Sequence, residues 1–284
     1  MEDFTEVDIL DSLQLNTLLL TEISEAETPK QGTGFFFMYR DDDNPEIGYP
    51  VIVSNRHVLE GMDMLRFSWT TTDKDGHPQL GKMAHQIFMN VHDYLLIHPT
   101  EDLAILSIGS IINQIGGMVA MRAWDENHIL SKKHLNTINV AHRILMIGYP
   151  LNIMDRKNYV PIFRQGITAT NPALDFNGRQ EFAIDIACFP GSSGSPIFAY
   201  DDGLIDVDEN RNQIYGKSIA FIGIQRSTYT HTTKGEIELL DKQVWPITVQ
   251  ESAHLGMAIN ARALKDLKPA LIKLVRNIEK EKTV

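Results

Sequence analysis

The strongest constraint on this chain is its punctuation. Apolar runs of four to nine residues, rich in Ile, Leu, Val or Phe, recur at 15–23, 34–38, 50–54, 102–108, 143–147, 181–187, 197–200 and 218–225. Gly, Pro, Asn and Asp bound them. Runs this short between turn residues suit strands, and a long succession of them points to an all-β sandwich or barrel. Residues 109–135 break the texture, with weak periodicity and several polar side chains. They read as a linker with a helical turn between two β-rich halves. The tail differs again: Leu264, Leu267, Leu271, Leu274, Val275 and Ile278 recur at spacings of three and four, one face of a helix. Pro269 interrupts it, either in the first turn of a second helix or as a kink in one long helix.

With 284 residues and 43% hydrophobic content, the chain can bury one large core or two small ones. The formal net charge of −11 repels phosphate backbones, so no nucleic-acid partner is expected. Cys188 is the single cysteine, so the fold must hold without an intrachain disulfide. No apolar run reaches membrane-spanning length, and no membrane partner is expected. The N-terminus, MEDFTEVDIL, is acidic where a signal peptide would be basic. A cytoplasmic setting is therefore expected. No internal repeat stands out.

Three segments carry chemistry. Residues 190–196 read Pro-Gly-Ser-Ser-Gly-Ser-Pro. A serine nucleophile needs an exposed hydroxyl beside backbone N–H groups that converge on a developing oxyanion. Ser193 fits best, with Gly191 two before it and Gly194 directly after. The N–H groups of Gly191 and Ser193 would be the oxyanion donors. Alone, the segment is also an ordinary Gly/Ser turn. Next, an apolar strand at 51–53 ends in Ser54-Asn-Arg-His57-Val58 and presents one imidazole, a rigid placement for a general base. Finally, Asp102 opens an apolar run, unusual unless its charge is used. A carboxylate that accepts from an imidazole fixes its tautomer. Glu101 is the rival carboxylate and is expected to be exposed.

The order His57, Asp102, Ser193, with separations of 45 and 91 residues, matches one known arrangement of such a triad. With Gly32-Thr-Gly-Phe-Phe-Phe and Ile147-Gly-Tyr-Pro added, the five patches resemble the trypsin-like serine peptidases. The likeness is strongest to the disulfide-free bacterial branch that includes the HtrA proteases. Phe163-Arg-Gln-Gly-Ile-Thr, Gly223-Ile-Gln and Gly256-Met-Ala-Ile-Asn are weaker echoes, so the resemblance spans about residues 30 to 268. It implies two six-stranded antiparallel β-barrels of the chymotrypsin type with a C-terminal helix. On that plan residues 1–30 join the barrels, 31–110 form the first with His57 and Asp102, and 111–135 link them. Residues 136–258 form the second with Ser193, and 259–284 the helix.

The resemblance implies a serine endopeptidase working through an acyl-enzyme. His57 would be the general base, Asp102 its orienter and Ser193 the nucleophile, on protein or peptide substrates. Cys188, five before the nucleophile, is expected to be a small buried thiol near the pocket. The expected substrate-binding set is Ala187, Cys188, Phe189, Pro190, Gly223, Ile224 and Gln225. Two departures matter. Digestive members carry an Asp directly before the nucleophile, which pairs with a new N-terminus after cleavage; here it is Ser192. Ala187, at the base of the primary pocket, offers no counter-charge to Lys or Arg, so small or medium apolar residues are expected before the cut. Gating by an activating protein partner is a further expectation. The alternative is a catalytically silent binding module on the same fold. No cofactor or metal is expected. Asp41-Asp-Asp-Asn-Pro reads as a hairpin loop, and the calcium-loop echo at 206–212 has Arg211 where the sharp turn wants Gly.

Overall fold

The computed structural model describes residues 9–115, 119–121, 123–207, 213–238 and 244–281. Most of the calcium-loop echo and parts of the expected linker lie outside them. The chain opens with helix α1 (Ile9–Asn16) and strands β1 (Thr17–Glu22), β2 (Gln31–Arg40) and β3 (Gly48–Ser54). Helix α2 (Arg56–Leu59) is followed by β4 (Met64–Thr72), β5 (Pro78–Met89), α3 (Val91–Tyr94), β6 (Leu95–Ile97) and β7 (Ala104–Ser107). After α4 (Gly109–Ile115) come β8 (Trp124–Asp125) and α5 (Lys132–Leu135). The second half holds β9 (Arg143–Gly148), β10 (Ile162–Thr168), β11 (Glu181–Asp185), β12 (Pro196–Val207), β13 (Gln213–Glu238) and β14 (Val244–Asn260), then helix α6 (Lys268–Glu281).

Strands β9 to β14 close an antiparallel barrel in the order β10-β11-β14-β13-β12-β9. Its six strands match the expected number. The N-terminal half is a sheet in the order β5-β4-β1-β2-β3-β7-β6, with β8 pairing in parallel with β2. It therefore carries eight strands, two of them short. It also begins at Thr17, before residue 31, because β1 pairs with both β2 (Thr17↔Phe35) and β4 (Thr21↔Arg66).

The apolar runs are explained by burial on both faces. In β2, Phe35, Phe37 and Tyr39 join one core cluster, while Phe36 points into another. Val51 and Val53 of β3 divide from Ile52 in the same way, and Ile105 of β7 from Ala104 and Leu106. The first cluster joins the two halves. It brings those residues against Ile147, Phe198, Phe221, Ile224 and Ile259 of the barrel. The Phe35 and Phe221 rings meet edge to face at 5.5 Å. The tail closes this cluster with Leu264, Leu267 and Leu271, and the buried Tyr39 hydroxyl donates to the Leu264 carbonyl at 2.7 Å. Pro269 falls in the first turn of α6, where its missing N–H costs no helical hydrogen bond.

Candidate active site

His57 sits in the single turn of α2, where β3 ends. Val58 and Leu59 beside it are buried and fix that turn to the core. Asp102 holds the same turn from its other side. Its carbonyl accepts from Arg56 N at 3.1 Å and from the buried Asn55 side chain at 2.9 Å. Its carboxylate accepts from His57 N at 3.0 Å through Oδ1 and meets His57 Nδ1 at 2.6 Å through Oδ2. A carboxylate at that distance requires the proton on Nδ1. Nε2 is then left as an acceptor on a ring whose side chain is half exposed, while Asp102 is mostly covered. Asp102 itself lies in a bend, two residues before β7.

Glu101 is a correction to the sequence reading. It is buried and pairs with Arg179 at 3.0 Å. Arg179 also reaches the buried Glu181, whose second cationic neighbour, Arg226, lies 3.1 Å away. Burial pushes the Glu181 carboxyl above its ordinary range against the pull of both arginines. Arg226 ends this chain of charges 3.8 Å from Asp102 Oδ2.

The serine turn belongs to the barrel. Ser192 N donates to Phe189 O at 3.0 Å, Ser195 N to Ser192 O at 2.9 Å and Gly194 N to Gln225 O at 3.0 Å. Gly191 and Gly194 have φ of +87° and +88°, a region that a Cβ resists. Thr33 of β2 ties the turn to the other half. Its N–H donates to Ser193 O at 2.9 Å and its hydroxyl to Gly191 O at 2.8 Å. Among the described residues, the N–H groups of Gly191 and Ser193 donate to no other group of the chain.

Of the three serines, Ser192 and Ser195 are fully buried and Ser193 is partly exposed. The Ser193 hydroxyl donates to the Arg226 carbonyl at 3.5 Å. The serine turn and the His57–Asp102 pair thus meet through one residue, Arg226, whose carbonyl takes the hydroxyl and whose guanidinium neighbours the aspartate. At 3.5 Å the Ser193 contact is long and weak, and a change of rotamer frees the hydroxyl.

Of the expected pocket residues, Phe189 and Pro190 are exposed and Ala187 is half-buried. Cys188 is buried, and burial pushes its thiol above the ordinary value. Gly223 and Ile224 are corrections. Ile224 lies in the core between the halves, and a Cβ on Gly223 would meet the Phe182 ring at 2.8 Å, so neither faces a groove. Gln225 is buried too. The accessible continuation of β13 is Arg226, Ser227 and Thr228. Thr33, Arg164 and Arg226 were not singled out in the sequence. Arg164 and Thr33 did lie inside quoted motifs, and a cation in the middle of a strand motif was the available signal.

A cluster of Asp73, Asp75 and His77, with ligand atoms within 4.8 Å of one another, lies on the surface at the β4–β5 turn. Asp73 there accepts from the backbone of Asp75 and His77, which accounts for the grouping as a turn. Asp41 likewise serves its hairpin, accepting from Asp43 N, Asn44 N and the Tyr49 hydroxyl.

A closed antiparallel barrel docked on a second β-sheet fits the double-barrel class expected above. Residues 32–205, more than half of the chain, match the model of the trypsin-like peptidase domain family, and the chain belongs to that family. Its fold is accordingly the chymotrypsin-type double barrel. Similar solved structures include the MamO protease domain from Magnetospirillum magneticum, at 10% identity and TM-score 0.45, covering 91% of this chain and 98% of that one. The Rv3671c protease from M. tuberculosis in its active form matches at 12% identity and TM-score 0.47, over 91% and 82%. Deg5 matches at 16% identity and TM-score 0.46, over 78% and 84%. No curated protein matches the sequence. No described helix is long and apolar enough to cross a membrane.

Proposed function

We propose that the chain is a serine endopeptidase that cleaves protein or peptide substrates through an acyl-enzyme, in the cytoplasm. The observation that carries this reading is the two-point clasp of Asp102 on His57, through the backbone N–H and through Nδ1. Asp73–His77 and Asp125–His128 make a similar pairing inside local turns, three or four residues apart; here the partners are 45 residues apart, and a carboxylate that fixes the ring tautomer readies Nε2 as a base. In this reading Ser193 attacks the scissile carbonyl as His57 takes its proton. The Gly191 and Ser193 N–H groups, which have no partner among the described residues, receive the oxyanion. His57 then protonates the leaving amine, and water repeats the cycle through the same groups.

The Ser193 hydroxyl bonded to the Arg226 carbonyl favours a resting form of this site. We include in the proposal that an activating protein partner releases it. The test is labelling of the intact protein by a fluorophosphonate probe, with and without cell lysate. Wild type is expected to take label at Ser193 and Ser193→Ala none, with turnover lost on the order of 10⁶-fold, and Asp102→Asn should lose about 10⁴-fold. Persistent labelling of Ser193→Ala would refute the nucleophile. An absence of labelling under all conditions would favour a silent binding module. Full activity without lysate would remove the gating.

A further inference from the structure

Arg164 is a half-buried cation that the mechanism above leaves unused. It projects from β10, the strand between β9 and β11 in the barrel. Its Nη1 donates to the Ala187 carbonyl at 2.5 Å and its Nη2 to the Ser192 hydroxyl at 3.0 Å. The same Ser192 oxygen accepts from Phe189 N at 3.3 Å. One guanidinium therefore grips both ends of the segment 187–192, which leads directly to the two N–H groups assigned to the oxyanion. Arg164 Nε is buried and without a hydrogen-bond partner, and among the described residues Arg164 forms no ion pair. Burial also pulls its basicity down, as expected for a charge taken from water without a counter-ion.

Even half-buried, a charge without a counter-ion carries a desolvation cost that a neutral side chain filling the same space would avoid. Two features of the segment call for a brace. Gly191 has φ of +87°, so the turn is held away from the conformations most residues prefer. The Gly191 and Ser193 N–H groups must also stay aimed at one point; Thr33 holds the carbonyls of these two residues, but the start of the segment, at Ala187, needs its own anchor. A planar fork with two donors fixes both ends of a loop in a way one ammonium cannot.

We propose that Arg164 is the positioning residue of the oxyanion loop, holding segment 187–193 in the shape that binds the transition state. This rests on the hydrolytic reading above for its consequence, though not for the brace itself. The experiment compares wild type, Arg164→Met and Arg164→Lys. Two readouts are taken: amide hydrogen exchange across 187–193 and the rate of fluorophosphonate labelling at Ser193. Arg164→Met is expected to lose protection in that segment while the β9–β14 barrel keeps its own. Labelling should fall about 10²-fold, the penalty for a catalytic group displaced by about 1 Å. Arg164→Lys should recover only part of this, and millimolar ethylguanidinium should restore labelling to a cavity variant, Arg164→Ala. Loss of protection confined to 187–193, with the rest of the barrel unchanged, separates a local brace from a general loss of stability.

Unchanged exchange across 187–193 in Arg164→Met overturns the proposal. If Arg164→Met does not fold, the Lys variant carries the same comparison. A wild-type chain that takes no label counts against the hydrolytic reading alone, and the exchange measurement still decides the brace.

Discussion

Gly194, directly after Ser193, tests how tightly the serine turn is set against the N-terminal sheet. Its φ is +88°, so an alanine there carries about 1–2 kcal/mol of left-handed strain. The larger effect is contact. A Cβ on Gly194 would stand 2.0 Å from the Thr33 carbonyl oxygen and 2.4 Å from Ser54 Oγ, where real Cβ atoms essentially never come within 3.0 Å. The Ser54 hydroxyl can rotate, but the Thr33 carbonyl is backbone of β2. The turn must therefore retreat by about 1 Å, the difference between those distances, and a displacement of that size costs about 10²-fold in rate. Gly178 is the control: its φ is +78°, and nothing lies within 4 Å of its added Cβ. The assay is the second-order rate of fluorophosphonate labelling at Ser193, with thermal melts of both variants. Gly194→Ala should label about 10²-fold more slowly than wild type. Gly178→Ala should lose about 1–2 kcal/mol of stability and label normally. If Gly194→Ala labels within threefold of wild type, the turn is not seated on Thr33 as described.

Tyr39→Phe should cost about 1–3 kcal/mol in urea unfolding, because the Leu264 carbonyl loses its buried donor. The same substitution should flatten the alkaline limb of stability: burial, with Glu126 and Asp266, raises the Tyr39 phenol well above its ordinary value. The folded state then holds a proton that the unfolded chain releases near pH ~10, so wild-type stability falls as pH rises past that point. An unchanged alkaline limb would count against this. Cys188, buried and with its thiol shifted upward, should resist iodoacetamide at pH 8 in the native protein and take one equivalent in denaturant. Rapid native alkylation would place the thiol at the surface.

What was legible in the sequence follows burial. Strands β2, β3 and β7 are covered on both faces, so Phe35-Phe-Phe and Val51-Ile-Val stand out as continuous apolar runs. Strands β4 and β5 were not read, because their exposed positions interleave with Leu65, Phe67 and Trp69 and dilute the signal. The outer stretch of β14 is exposed at nearly every position, and solvent imposes no alternation there. Of the candidate site, His57, Asp102 and Ser193 were picked from local motifs; the structure pairs the first two and bonds the Ser193 hydroxyl to the Arg226 carbonyl. Glu101 was misread because its burial comes from Arg179, 78 residues away, which nothing local announces. Arg226 was missed for the same reason: its partners Asp102 and Glu181 lie far from it in sequence.

The two parts of the site depend on the fold in different ways. The His57–Asp102 clasp lies wholly within the N-terminal sheet, where α2 and the bend before β7 are neighbours through β3 and β7. The serine turn is barrel structure, and it reaches that clasp only across the docked interface. Thr33 is the hinge of that docking. Its carbonyl accepts from Ser54 at the end of the His57 strand at 2.7 Å, and its N–H and hydroxyl hold Ser193 and Gly191. Its hydroxyl oxygen also accepts from Tyr149 N at 3.1 Å. One fully buried residue thus satisfies groups from both halves. A loosened interface would leave those polar groups unpaired, each at a cost of about 1–3 kcal/mol. In the proposed mechanism, aligning Ser193 with His57 would therefore be a property of the interface core, and substitutions in Phe35, Phe198 or Phe221 would bear on the site without touching it.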